Sequence, residues 1–306
     1  MQCSIRGFAM SERVALPSSN KKPARQSRSL WGDAFRRLRR NPGSMLGLVL
    51  LLIVVALSLL APVLTPYDPV EIVAGDRLQP PSAEHWFGTD SFGRDIYTRV
   101  LYGGQISLRV GIIAVGIAAL LGVTSGMLAG YFGGWTDSVI MRTADITLAF
   151  PGILLALVVI AVLGPSLFNA MIAVGIAAAP TYARVARGMV LKVKNEPYIE
   201  SAICVGAPAH SVLLRHILPN ILGSLVVVAT LGVAGAIIAG AALSFLGLGA
   251  KPPTPEWGLI LSEGRSYLRH AWWITTFPGL AIMITVLSIN LLGDGLRDAL
   301  EPRMTR

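Results

Sequence analysis

Charge is scarce in this 306-residue chain: Asp, Glu, Lys and Arg make up 14% of it, against 53% hydrophobic residues. A typical soluble domain carries about 25% charged residues, so the chain lacks the material for a wetted surface. Its length would otherwise suggest about two domains, but a bundle of membrane spans accounts better for the apolar excess. Cysteine is scarcer still: Cys3 lies in a polar tail and Cys204 far along the chain, which excludes a disulfide scaffold. The four histidines, His85, His210, His216 and His270, show no ligand spacing and no cysteine joins them. Neither a metal site nor a nucleophile–base pair follows. No Gly-Lys dipeptide occurs, and with it goes the phosphate-cradling G-x-x-x-x-G-K-[ST] loop. Leu101-Tyr-Gly-Gly-Gln105 is only superficially like an ATPase signature, and its glycines are expected to turn the chain into a span. The chain is read as no enzyme by itself, holding no cofactor.

Charge is also missing where a transporter powered by ions would need it. No Asp, Glu, Lys, Arg or His occupies the middle of any strongly apolar stretch. Ion- and proton-coupled carriers place such a group at depth, which argues against a stand-alone secondary transporter. No repeated filter-like sequence supports a channel.

What the chain does have is six apolar stretches close to the about 20 helical residues needed to cross a bilayer: Ser44–Leu64, Ile106–Phe132, Asp145–Gly164, Phe168–Arg187, Ile221–Gly247 and Phe277–Gly293. The fourth is the weakest, being Ala-rich and interrupted by Pro180. The first has some forty residues before it and exceeds the length of a signal-peptide core. With the N-terminus inside, 19 of the 26 Lys and Arg residues fall on the cytoplasmic side and six on the other, Arg109 lying within a span. The excess of basic residues, a formal net charge of +9, is therefore assigned to cytoplasmic segments rather than to nucleic acid. The expected fold is an all-α membrane protein with six transmembrane helices and both termini cytoplasmic.

Residues 1–29 are basic and rich in Ser and Pro and read as a disordered cytosolic tail. Across 30–43, Leu30, Trp31, Ala34, Phe35 and Leu38 share one helical face while Arg36, Arg37, Arg39 and Arg40 cover the other. That pattern predicts an amphipathic helix on the lipid surface, the alternative being a solvated basic linker. Residues 44–306 form the six-span domain, with an outer loop at 65–105, an inner loop at 188–220 and a second outer loop at 248–275. Trp272 and Trp273, just before the last span, suit an interfacial aromatic belt.

The inner loop is the most informative segment. From Glu196 to Pro219 it reads as helix, glycine break, helix, proline stop. Glu200 lies in the first helix, Gly206 supplies a permissive backbone and Pro208 suits the first turn of the second helix. Val212, Leu213 and Ile217 are expected to give that second helix a sticky face for a docking partner. In the outer loop, Asp90 is a candidate cap for a helix from about Phe92 to Tyr102, with Arg94 and Asp95 in local pairs. Contact of Gly88, Asp90, Gly93, Arg94 and Asp95 with a partner or cargo is the alternative.

The inner loop resembles the EAA loop of ABC-importer permeases, with Glu200, Ala202, Gly206, Leu218 and Pro219 at the expected spacing. Ser201 stands where that motif has Ala, and His216 at a usually aliphatic position. Phe87–Asp90, Gly93–Asp95, Arg142–Pro151, Pro252–Gly258 and Gly293–Asp298 resemble the dipeptide/oligopeptide/nickel subfamily, specifically its C-type subunit. The resemblance runs from about residue 30 to the end. It implies a type I importer fold and a half-channel that pairs with a second, different permease. It further implies two ATPase subunits, which hold the ATP and Mg, and cargo delivery by an extracytoplasmic binding protein. Glu200, Ser201, Ala202, Gly206, Leu218 and Pro219 would seat one ATPase subunit. Asp294, Arg297 and Asp298 would form an inner-surface helix end near that loop. Dipeptides or oligopeptides are the implied cargo, with nickel, glutathione or another small solute as the alternative.

Overall fold

The computed structural model describes residue 36 and residues 38–300. The tail at 1–29 and most of the proposed amphipathic helix, including Leu30, Trp31, Ala34, Phe35 and Arg37, lie outside the described residues. Of that helix, Leu38 is buried while Arg36, Arg39 and Arg40 are exposed.

Regular structure among the described residues is helical, apart from an isolated β-bridge between Thr89 and Asp95. Helix α1, Pro42–Leu59, starts where the Asn41 side chain accepts hydrogen bonds from the Gly43 and Ser44 amides at 3.1 and 3.4 Å, with proline at its first turn. It is apolar on every side, and Leu46, Leu52 and Leu59 remain exposed in the isolated chain, as a lipid-facing helix requires. A single further turn follows at Ala61–Leu64. Helix α2 runs from Ile96 to Phe132, 37 residues, which at 1.5 Å per residue is about 55 Å. It therefore extends well beyond a hydrocarbon layer of about 30 Å, and the span expected from Ile106 begins ten residues earlier as a helix.

Helices α3, Gly134–Leu148, and α4, Gly152–Leu163, are separated by a 98° bend at Pro151. The stretch expected to span at Asp145–Gly164 is therefore not one helix but the end of α3 and the whole of α4. Proline disfavours helical geometry in the residue before it, so the apolar run is split, and the 12 residues of α4 cover only about 18 Å. Helix α5, Leu167–Lys194, is capped by the Ser166 hydroxyl, which accepts from the Asn169 amide at 3.1 Å, and it carries Pro180 internally. Helices α6, Pro197–Cys204, α7, Ala209–Phe245, α8, Trp257–Gly264, and α9, Trp273–Leu300, complete the order.

Among the described residues, α1, α2, α7 and α9 are long and apolar enough to cross a membrane, and α3 and α4 pass that test only as a bent pair. Helix α5 has the length, but Asn169, Pro180, Arg184, Arg187, Lys192 and Lys194 dilute its apolar character. The most extensive packing is between α2 and α5. It depends on close approach: a Cβ on Gly122 or Gly126 of α2 would overlap the backbone carbonyls of Ala179 and Ala183 in α5. Small residues at such a contact let two backbones approach where lipid supplies no hydrophobic drive between helices. Gly103 and Gly104 do not turn the chain into a span as expected. They lie inside α2, buried against Trp257 and Ser58.

Candidate functional site

The junction at 196–219 is built from two helices and a left-handed residue. Pro197 occupies the first turn of α6, and Val205 caps its end. Gly206 has φ +86°, a region that costs a residue with a Cβ about 1–2 kcal/mol. In this conformation the Gly206 amide donates to the Ile203 carbonyl at 2.9 Å and the Ala207 amide to the Ala202 carbonyl at 3.0 Å. This is the paired glycine closure of a helix C-terminus, which satisfies carbonyls the helix leaves open. Ala202 thus matters through its backbone, while the Ser201 hydroxyl is turned back along the helix, donating to the Pro197 carbonyl at 2.8 Å. No atom lies within 4 Å of where a Cβ on Gly206 would stand, so the requirement for glycine is conformational and not steric.

The second helix departs from expectation in two ways. It does not stop at Pro219. Residues Val212–Ile217 form a widened, π-type turn within α7, and the helix continues past Pro219 to Phe245. A proline ring in a regular helix clashes with the carbonyl four residues earlier; the wider turn relieves that crowding. The Asn220 side chain donates to the His216 carbonyl at 2.5 Å, serving a backbone acceptor within the turn. Second, Val212, Leu213 and Ile217 are no sticky surface. They are buried in one cluster with Met127, Val190, Ile199 and Ile221, where each fully buried Val or Ile contributes about 1.5–3 kcal/mol. Apolar residues on a short helix can serve a partner or the chain's own core, and here the core takes them.

The exposed apolar residues of the junction are others: Tyr198, Ile203, Leu214 and Val205, the last 90% accessible. Glu200, Cys204 and Pro219 are also exposed, and Leu218 is half-buried against the cluster. The junction thus has an inner side fixed to α2, α5 and α7, while Glu200, Ile203 and Val205 are each exposed.

Residues 122–306 match the family described as binding-protein-dependent transport system inner membrane component, and residues 29–81 match the N-terminal TM domain of oligopeptide transport permease C. The dipeptide transport system permease protein DppC of Alkalihalophilus pseudofirmus is 48% identical over 90% of this chain and 91% of its own. The glutathione transport system permease protein GsiD of Escherichia coli O157:H7 is 49% identical over 91% of this chain and 92% of its own. The chain is an ABC-importer permease. A chain of the methionine ABC transporter MetNI, in inward-facing conformations, superposes with a TM-score of 0.50 at 19% identity, covering 66% of this chain and 96% of that one. That likeness concerns the fold alone. The permease is a multi-pass inner-membrane component of a binding-protein-dependent system, so its ATPase is a separate subunit and a binding protein is among its partners.

In this permease the residues Gly88, Asp90, Gly93, Arg94 and Asp95 are all buried. Asp95, not Asp90, caps α2: its Oδ2 accepts from the Thr98 amide at 2.7 Å and the Thr98 hydroxyl at 2.6 Å, while its Oδ1 meets His85 Nδ1 at 3.0 Å. Asp90 closes a turn, its Oδ1 accepting from the Phe92 and Arg94 amides at 2.8 and 3.0 Å. Its other oxygen takes Arg94 Nε and Arg99 Nη1, both at 2.6 Å. Both guanidinium groups then reach Glu263 Oε2 of α8, at 2.9 and 3.0 Å. Two carboxylates and two guanidinium groups so compensate one another out of water, which a buried charge requires. Gly88 and Gly93 have φ +72° and +80°, and any Cβ there would strike Gln79 and Val73. Trp273 is not part of an interfacial belt. It is buried, and its indole donates to the Thr89 carbonyl at 3.0 Å, whereas Trp272 is exposed.

Glu256 caps α8 by accepting from the Leu259 amide at 2.9 Å. Burial pushes its carboxyl above the ordinary range, opposed by hydrogen bonds from the Gly258 and Leu259 amides and from Ser244 and Ser107. Asp294, Arg297 and Asp298 are exposed at the end of α9. That end packs through Gly295 against Leu38 and Ser44, and Gly293 lies against Leu231. Its neighbours here are α1 and α7, rather than the α6 helix of the junction.

Proposed function

We propose that the chain is the transmembrane half of an importer of short peptides, coupled to one ATPase subunit through the 196–219 junction. The observation that carries this reading is the arrangement of α6: glycine-closed, anchored by Ile199, and presenting Glu200, Ile203 and Val205 outward. A rigid lever whose inner face joins three spans transmits a push from a docked subunit to the helices it holds. Glu200, Ser201, Ala202, Gly206, Leu218 and Pro219 belong to this device, the first by contact and the others by setting its shape. The buried Asp90, Arg94 and Asp95 are assigned to scaffolding, since no exposed side chain among them offers a contact.

The full assembly in this reading contains a second, different permease, two ATPase subunits and an extracytoplasmic binding protein, with ATP and Mg held outside this chain. Six spans follow if α5 crosses together with the bent α3–α4 pair and the four long helices, with both termini cytoplasmic. The domain division follows the same reading: a cytosolic tail at 1–29, a lipid-surface helix at 30–43 and the permease domain from 44. The peptide cargo rests on similarity to the dipeptide and glutathione permeases. Detergent extraction is expected to bring down a second permease with ATPase subunits, and the reconstituted complex to accumulate a dipeptide on ATP. A chain that purifies alone and moves solute along an ion gradient would refute the proposal.

A further inference from the structure

Helices α2, α4, α5 and α7 line a half-open cavity of about 450 Å³, within the range of small-molecule sites. Its wall is formed by small apolar residues, among them Ala114, Ala156 and Ala178, and by two hydroxyl-bearing side chains, Thr181 and Tyr182. Tyr182 is 4% exposed, and its hydroxyl has no hydrogen-bond partner. A buried polar group left unpaired is rare and calls for an explanation. The explanation here involves α7. The hydroxyl sits against Gly232, another residue of the cavity wall, where any Cβ would overlap it. A glycine on the facing helix therefore makes room for this oxygen, although no protein group answers it.

The occupant must supply what the wall lacks. A lipid chain fills volume but offers no acceptor. A lone water needs two to four polar partners, so the two hydroxyl-bearing side chains of the wall give it no more than the minimum, and it leaves most of the volume unfilled. A peptide in transit brings backbone carbonyl oxygens together with apolar side chains, and the small residues leave space for those. We propose that this cavity is a transit subsite for the cargo, in which the Tyr182 hydroxyl donates to a peptide oxygen while a cargo side chain occupies the space beside Ala178. The inference rests on the peptide-import reading and deepens it by naming a contact. The hydroxyl holds the cargo without fixing a charge, which suits a subsite that must release what it binds.

The test uses the whole importer, reconstituted in proteoliposomes with its second permease, ATPase subunits and binding protein. The probes are the radiolabelled dipeptides Ala-Phe and Gly-Gly. For Tyr182→Phe, dipeptides delivered per ATP hydrolysed are expected to fall about fivefold, the effect of one lost hydrogen bond. Tyr102→Phe, remote from the cavity wall, serves as the control and keeps the wild-type ratio. Ala178→Leu, which narrows the cavity, is expected to depress delivery of Ala-Phe at least threefold more than that of Gly-Gly, and it carries the test if Tyr182→Phe fails to assemble. A wild-type ratio in Tyr182→Phe, or equal losses of both dipeptides in Ala178→Leu, would overturn the assignment alone. A wild-type importer that accumulates neither dipeptide would overturn the peptide reading and the assignment with it.

Discussion

Replacing Gly206 by Ala isolates the conformational term of the coupling device. The residue stands at φ +86° with open space where its Cβ would project, so no packing is lost and no neighbour is struck. The cost is that of a left-handed backbone for a residue with a Cβ, about 1–2 kcal/mol. What it weakens is the pair of hydrogen bonds from Gly206 to Ile203 and from Ala207 to Ala202. Helix α6 has only eight residues, and so short a helix has little stability without its ends and its packing. A loss of this size shifts the opening equilibrium of the turn about 5- to 30-fold. Hydrogen exchange read over residues 197–207 in the detergent-solubilised complex should accelerate by that factor, with exchange in α2 and α7 unchanged. The substitution series should grade as Gly, then Asn, then Ala, then Val, because Asn tolerates the left-handed region better than other non-glycine residues. ATP-driven uptake should fall in the same order, and Val should abolish it while membrane insertion persists. Wild-type protection in both the Ala and Val variants, or an Asn variant worse than Ala, would refute the conformational argument.

Three further outcomes are expected. Val205→Asp changes a fully accessible residue and should leave the melting temperature within about 2 °C, since surface substitutions cost little, while ATPase subunits no longer co-purify; retention of the ATPase on affinity resin would contradict the docking face. Asp90→Asn strips two buried guanidinium groups of their shared carboxylate and should destabilise the protein by about 3–5 kcal/mol, seen as loss of a monodisperse peak in fluorescence-detected gel filtration; a normal peak and melting curve would show that Glu263 alone suffices. Glu256 has a folded pKa raised by burial, so its protonated form is favoured in the folded state, and the stability it contributes is fully present below its unfolded value and lost as pH rises through the folded one. Glu256→Gln should therefore flatten the rise in melting temperature that acidification produces across that window, and an unchanged pH slope would place the titrating group elsewhere.

How much of this was legible in the sequence depends on how far the deciding contact lies along the chain. Helices α1, α7 and α9 are announced by long apolar runs without charge and α2 by one whose single charge, Arg109, stands near its start; the glycine break at 206 is marked by its position between two short helical patterns. The bend between α3 and α4 was not, because Pro151 lies within a run whose composition resembles that of a span. Val212, Leu213 and Ile217 were read with the wrong sign: their helical spacing fixes a shared face but not which way that face turns. The exposure of Val205 is not legible in the sequence, because it stands beside the break, outside either helical pattern. The cluster of Asp90, Arg94, Arg99 and Glu263 joins residues as far as 169 positions apart, and no local pattern signals such a pairing. The sequence points to Asp90 as the cap and to Asp95 as half of a local pair; only the hydrogen bonds to Thr98 show that Asp95 caps α2.

The central claim is that α6 seats an ATPase subunit, and Cys204 permits its most direct measurement. This thiol is free and exposed, one residue from Val205 and in the same turn as Glu200. Membranes containing the assembled importer would be treated with a photoreactive maleimide and illuminated. The account predicts an adduct between this chain and an ATPase subunit, absent in Cys204→Ser and reduced by Val205→Asp. Labelling of Cys204 only from the opposite side of the membrane, or no ATPase adduct from an efficiently labelled thiol, would contradict it.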